Sequence, residues 1–255
     1  MFQLVDASFE IDGKNILSPT NLSFSPGKVT TLLGHNGCGK STLIKLLSRQ
    51  NAPSQGEVLF EKKPVSSYTN LEFAHQVAYL PQHPPITDGV TVRELVCFGR
   101  YPWKGAFGRY SQQDYAIVDE AISKVGLTNF ADRFVATLSG GERQRAWVAM
   151  LLAQQSRCIL LDEPTSALDV AHQHELLALI RELNQSMGLT VIMVLHDVNM
   201  AAKFSDELIA LHSGKVIASG TPANLMTPET LMKIYGMELA LFPHPKTGQP
   251  ISYIP

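Results

Sequence analysis

The sequence predicts an α/β fold whose core carries an antiparallel β subdomain and an inserted α-helical subdomain. Three observations predict it. A short apolar strand at 28–33 runs straight into a glycine-rich loop and then into a helix-spaced segment. Two later runs, 158–161 and 190–195, have the nearly unbroken hydrophobicity of parallel strands covered on both faces. Between these two regions, 83–155 switches to apolar spacings near the helical period.

In chain order, residues 2–11 and 16–24 alternate loosely around Gly13, which predicts two antiparallel strands joined by a turn. Residues 28–33 (KVTTLL) are the strand before the loop, and 41–47 the helix after it. Residues 53–80 read as β-rich and close in a strand at 77–80. Helices are predicted over 92–98, 114–125 and 141–153, separated by Pro- and Gly-rich loops at 82–89 and 99–108. A helix over 171–186 lies between the two late strands, and 221–255 is a mixed tail with several prolines. The result is one domain in three parts. A nucleotide-binding core with its β subdomain spans 1–82 and 156–220, the helical subdomain 83–155, and the tail 221–255. A length of 255 residues suits one such domain better than two.

Composition narrows the function. Apolar residues make up 45% of the chain, enough for a sizeable core. With 21 basic and 23 acidic residues there is no basic surplus, so no nucleic-acid partner is expected. Cys38, Cys97 and Cys158 are odd in number and widely spaced, which fits neither a disulfide framework nor a zinc pattern and suits a reducing cytosol. The start carries no basic-then-apolar leader. The longest apolar run, 146–153, has eight residues, whereas a spanning helix needs about 20. The expectation is a chain that acts on a membrane only from its surface, through a partner.

Gly34, His35, Asn36, Gly37, Cys38, Gly39, Lys40 and Ser41 fit G-x-x-x-x-G-K-[ST], with Thr42 following. The glycines let the backbone curl so that successive N–H groups face one anion, and the helix beyond presents its positive end to it. Lys40 can reach the β- and γ-phosphates, and the Ser41 hydroxyl can ligate Mg²⁺. The strand before and the helix after separate this match from a chance one. Cys38 has two readings: a thiol activated by the electropositive loop, or a small residue that fits there. The second is favoured.

The strand 158–161 ends in Asp162 and Glu163. It delivers Asp162 beside the loop, where it can hold Mg²⁺, an ion that takes only one or two carboxylates. Glu163, one residue on, points elsewhere and suits orienting or deprotonating the attacking water.

Six motifs stand in order: GHNGCGKST at 34–42, Gln82 after VAYLP, LSGGERQR at 138–145, ILLDEP at 159–164, SALD at 166–169, and His196 after VIMVL. On these the sequence resembles the ATP-binding-cassette (ABC) ATPases over nearly its whole length. The resemblance implies a P-loop NTPase core, ATP and Mg²⁺ as ligands, and a homodimer that sandwiches two ATP molecules. Each ATP would lie on one phosphate loop and under Ser139, Gly140 and Gly141 of the partner subunit. Gln82 would contact Mg²⁺ or the water and sense the helical subdomain. His196 would touch the γ-phosphate and hold Glu163, and Asp169 would lie at the dimer seam. The family often stacks an aromatic from the first strand on adenine. Ile11 occupies that place here, so an apolar contact is expected instead.

Within the family, TVRELVCFGRYPW at 91–103, GERQRAWVAMLLAQ at 141–154 and GTPANLMTPETLMKIYG at 220–236 are most similar to ATPases of iron–siderophore importers, of the ferric hydroxamate (ferrichrome) type. That likeness implies integral membrane permease subunits and, indirectly, a periplasmic siderophore-binding protein. It also implies a peripheral place on the cytoplasmic face of the inner membrane. Importers of another iron chelate, haem or cobalamin are the alternative. A soluble non-transport ABC ATPase ranks lower, because there is one cassette and no heptad run. Arg100, Tyr101 and Trp103 either line a groove for a permease helix or pack on their own subdomain. His172 and His174, two apart on a helix, read as surface residues and not metal ligands.

Overall fold

The computed structural model describes residues 1–85, 87–105, 108–246 and 248–255. Ile86, Ala106 and Phe107 in the expected helical subdomain, and Thr247 in the tail, lie outside the described residues. The strands are β1 (Phe2–Ile11), β2 (Lys14–Ser23), β3 (Val29–Leu33), β4 (Gln55–Phe60), β5 (Lys63–Pro64), β6 (Val77–Leu80), β7 (Cys158–Leu161), β8 (Thr190–Val194), β9 (Glu207–His212), β10 (Lys215–Gly220), β11 (Ala240–Pro243) and β12 (Pro250–Tyr253). The helices are α1 (Lys40–Leu47), α2 (Asn70–Ala74), α3 (Val92–Phe98), α4 (Tyr101–Lys104), α5 (Gln112–Lys124), α6 (Gly140–Ala153), α7 (Val170–Met187), α8 (Val198–Phe204), α9 (Pro222–Leu225) and α10 (Pro228–Tyr235).

Strands β2-β1-β4-β5 form an antiparallel sheet. A second sheet runs β10-β9-β3-β8-β7-β6, parallel from β9 to β6 with β10 antiparallel at its edge. Every residue of β3, β7 and β8 is buried, as strands covered on both faces must be. Alternate residues serve two cores. Leu32, Cys158, Leu160, Ile192 and Val194 pack toward α1 and the antiparallel sheet. Leu33, Ile159, Leu161, Val191 and Met193 pack toward α6, α7 and α8.

Three segments depart from the sequence expectation, the first being the loop read over 99–108, which contains the short helix α4. The β-rich reading of 53–80 holds for β4–β6, but 70–74 is helical. Thr69 caps it with a full capping box, its hydroxyl accepting from Glu72 N and its own N–H donating to Glu72. The mixed tail resolves into α9, α10 and the β11–β12 hairpin. Among the described residues, no helix is long and apolar enough to cross a membrane.

Candidate functional site

The phosphate loop leaves β3 at Gly34. A Cβ there would collide with the Leu211 carbonyl oxygen on β9 and with Cys38 Sγ, so only glycine lets the loop pass. Gly39 is the left-handed N-cap of α1, and no side chain caps this helix. The first amides of α1 are therefore left open to an anion. Lys40 is buried and folds back under the loop, donating to the carbonyls of Gly34 at 2.8 Å and His35 at 3.0 Å. Cys38 is fully buried, 3.9 Å from Lys40 Nζ. Burial pushes its thiol up against the opposing pull of Lys40, which favours the packing reading over reactivity. His35 packs edge-on against His212.

The parallel strands β6, β7 and β8 end on one side and deliver the site residues beyond their carboxyl ends, two of them from β7. Asp162 follows β7, is buried, and accepts from Ser41 Oγ at 3.2 Å. Burial, with the Glu163 charge adding to it, pushes its carboxyl up against the opposing pull of the Ser41 bond and the Lys45 and Lys40 charges. Glu163 adopts φ 50°, a left-handed conformation that costs about 1–2 kcal/mol for a residue with a Cβ. That turn separates its carboxylate from Asp162. Gln82, after β6, donates from Nε2 to Glu163 Oε2 at 2.5 Å. His196, after β8, holds Glu163 Oε1 at 2.8 Å through Nε2. Both carboxylate oxygens are thus fixed by the residues the sequence singled out.

Gln82, Glu163 and His196 line an opening of about 440 Å³ together with Gly37, Lys40, Ser41 and Thr42. The oxygens of Ser41 and Asp162 suit a hard divalent cation. No cluster of three or more His, Cys, Asp or Glu side chains forms a metal site among the described residues. An ion here needs ligands from nucleotide and water, which is how Mg²⁺ is usually held.

The LSGGERQR segment lies outside that opening. Ser139 caps α6, its hydroxyl accepting from Glu142 N, while Glu142 Oε2 takes the Ser139 N–H at 2.9 Å and hydroxyl at 2.8 Å. The next amides, of Gly140 and Gly141, have no carbonyl beneath them in the helix. Gly141 is required by close approach, since a Cβ would come within 2.7 Å of the His172 ring. Asp169 caps α7 through His172 N and grips the same ring at 2.8 Å. His172 thus reads as a spacer between α6 and α7. The D-x-x-H spacing at a helix start was the signal for it, because residues three apart share a face.

Ile11 stands half-exposed beside the β1–β2 turn, and Ile16 on the returning strand lines the opening instead. Arg100 turns inward: it is buried, paired with Asp114 at 3.1 Å, and donates to Ala153 O at 2.8 Å. Tyr101 and Trp103 remain exposed, with Trp103 stacked on His75 at 4.1 Å. Sequence reasoning missed Tyr235, whose hydroxyl donates to the His196 carbonyl.

The family model described as ABC transporter matches residues 17–166. The chain is 43% identical over 236 residues to the iron(3+)-hydroxamate import ATP-binding protein of Bacillus subtilis (strain 168), covering 92% of this chain and 88% of that one. It is also 43% identical over 225 residues to the ferric enterobactin transport ATP-binding protein of Escherichia coli (strain K12), covering 88% and 83%. A solved metal-chelate type ABC transporter in an inward-facing conformation superposes with a TM-score of 0.85 at 27% identity, covering 99% and 97%. With the phosphate loop, the acid pair and the matching sequences in agreement, this chain belongs to the ABC transporter family as one of its ATP-hydrolysing subunits.

Proposed function

We propose that the chain powers import of ferric siderophores across the cytoplasmic membrane, with hydroxamates the first substrate class to test. The names of its relatives support the siderophore class. One is a hydroxamate system and another, at equal identity, a ferric enterobactin system, so the hydroxamate reading is the narrower one. The domain division follows the functional parts: core over 1–82 and 156–220, helical subdomain over 83–155, tail over 221–255.

ATP places its phosphates on the open start of α1, and Lys40 exchanges the Gly34 and His35 carbonyls for phosphate oxygens. Ser41 and Asp162, with Gln82 nearby, would hold Mg²⁺, which supplies neutralising charge to the phosphates. Ile11 and Ile16 offer an apolar flank to adenine. Glu163 orients or deprotonates the attacking water, and His196 steadies Glu163 and meets the γ-phosphate. A second copy of the chain completes each site with Ser139, Gly140 and Gly141 of the partner subunit, and Asp169 borders the seam. Membrane permease subunits dock on the exposed apolar surface of Leu71, Phe98, Tyr101 and Trp103, and a periplasmic siderophore-binding protein feeds them. This sets the chain peripherally on the cytoplasmic face of the inner membrane.

The observation that carries the reading is Glu163 gripped by Gln82 and His196 beside the open phosphate loop. The test deletes the gene and supplies one siderophore at a time as sole iron source. Loss of growth on hydroxamates, restored by the wild-type gene and not by Glu163→Gln, is expected. The purified variant should bind ATP normally and turn over on the order of 100-fold slower or worse. Unimpaired growth on every siderophore would overturn the import reading. Normal hydrolysis by Glu163→Gln would overturn the role of Glu163.

A further inference from the structure

Two sets of hydrogen bonds tie the C-terminal segment to the stretch that carries His196. Tyr235, the last residue of α10, donates from its hydroxyl to the His196 backbone carbonyl at 3.3 Å. Asn199, in the first turn of α8, donates from Nδ2 to Ser252 O at 3.0 Å. Its Oδ1 accepts from Ser252 N at 2.8 Å and from Ser252 Oγ at 3.0 Å. Between the two, Asp197 caps α8 by accepting from Met200 N at 2.9 Å. The stretch 196–199 is therefore held near both of its ends by α10 and β12.

Close packing fills only part of this junction: Val198 and Ala201 of α8 share a core with Leu231 and Ile234 of α10, and Tyr235 packs against it. A cavity of about 600 Å³ lies between α8, α9 and the hairpin, with Met200, Lys203, Ala223 and Ile251 in its wall. A tightly packed interior transmits position through contact everywhere. Beside the cavity, which Asn199 and Ile251 line, the directional Asn199–Ser252 bonds carry position, and on the packed side the Tyr235 bond adds direction to contact. His196 needs such support, because its side chain is 46% exposed while it holds Glu163 at 2.8 Å. The Tyr235 phenol is a dependable donor: burial pushes it up, and the Asp197 charge pushes it further, so it stays protonated at neutral pH.

We infer that Tyr235 and the Asn199–Ser252 clip are positioning elements that set the His196 imidazole against Glu163 and the γ-phosphate. The tail thereby takes part in ATP hydrolysis without touching nucleotide. The inference rests on the role proposed for His196, and the experiment separates the two.

The assay uses the full chain and measures kcat, KM for ATP, ATP-induced dimerisation in the Glu163→Gln background, and the melting temperature. Tyr235→Phe removes one hydroxyl and keeps the ring. It is expected to lower kcat on the order of tenfold with KM, dimerisation and melting unchanged, the signature of lost alignment. Asn199→Ala should give the same split. Should that variant fold poorly, Ser252→Ala, which keeps the backbone half of the clip, should give it at smaller size. His196→Ala is the reference and should nearly abolish turnover. Normal turnover by His196→Ala would overturn the underlying role of His196. An inactive His196→Ala beside wild-type kcat in both Tyr235→Phe and Ser252→Ala would overturn the positioning role alone. So would a Tyr235→Phe variant whose kcat loss merely follows a loss of melting temperature.

Discussion

Helix α1 begins at Lys40 behind Gly39, with no side chain accepting from its first amides, whereas α6 begins behind a complete Ser139–Glu142 capping box. Two other helix starts in the same segment are closed as α6 is, while the short α4 has no side-chain cap. Thr91 and Glu94 close α3, and Ser111 and Asp114 close α5. With glycine as the N-cap the missing side-chain bond costs only about a few tenths of a kcal/mol, and the bare start of α1 leaves its amides for an anion to satisfy. At α6 the Ser139 hydroxyl and amide are committed to Glu142, and the amides of Gly140 and Gly141 are what remains to offer. On the proposed reading, one helix start is a phosphate site inside its own chain, and the other adds to a site only when a second subunit brings phosphate to it.

The largest expected effect falls on the most heavily used cap. Asp114 accepts from Ser111 N at 2.8 Å and is paired with Lys104 at 2.7 Å and with buried Arg100 at 3.1 Å. Burial alone would raise its carboxyl, but the bonds from Lys104, Ser111 and Arg100 outweigh burial and hold it far below the usual carboxylate range. Asp114→Asn keeps a cap acceptor and strands the Arg100 charge. It should destabilise the fold by about 3 kcal/mol at neutral pH, measured by urea unfolding. Because the folded carboxyl is depressed, its stabilisation is complete above the unfolded value of about 3.9 and is lost as pH falls below it. The gap between wild type and variant should hold from pH 7 to 5 and shrink toward pH 2. A gap that stays constant over that range would mean the charge of Asp114 does nothing beyond capping.

The strands β7 and β8 were readable because burial on both faces makes them almost wholly apolar, as in 158–161 and 190–195. Asp162 and Glu163 were readable because they follow such a strand, whereas Gln82 and His196 were readable only through the ordered set of motifs that resembles the ABC ATPases. Helix α2 was missed although Thr69 and Glu72 spell a capping box, because five residues are too few to establish a period. The inward turn of Arg100 was left open, since nothing local to Gly99–Arg100 announces an aspartate 14 residues on. Tyr235 lies 39 residues from the His196 carbonyl it supports, and a backbone acceptor leaves no mark in a sequence. Ile16 was passed over for Ile11 because the choice depends on which strand of the hairpin crosses the loop.

The contrast between the two helix starts can be broken with one substitution at each. Lys40→Ala removes a charge-assisted donor worth about 1.5–3 kcal/mol, so ATP affinity of the isolated subunit should fall on the order of ten- to a hundredfold by calorimetry. Affinity equal to wild type would deny that α1 is a site within the chain. Gly141→Ala should leave that affinity untouched if, as proposed, α6 meets phosphate only across the subunit interface. Its methyl would press within 2.7 Å of the His172 ring, which Asp169 holds at 2.8 Å. Overpacking of this kind costs about 1–3 kcal/mol, and here it should appear as weaker ATP-driven dimerisation, roughly tenfold, and slower hydrolysis. The collision is with a side chain, so it has a specific remedy. His172→Ala in the same chain opens the space, and the double variant should recover much of the dimerisation that Gly141→Ala loses. Losses that simply add would mean that the spacing of α6 and α7 is not what Gly141 protects. Equal loss of ATP affinity in the isolated Gly141→Ala subunit would erase the distinction between the two helix starts altogether.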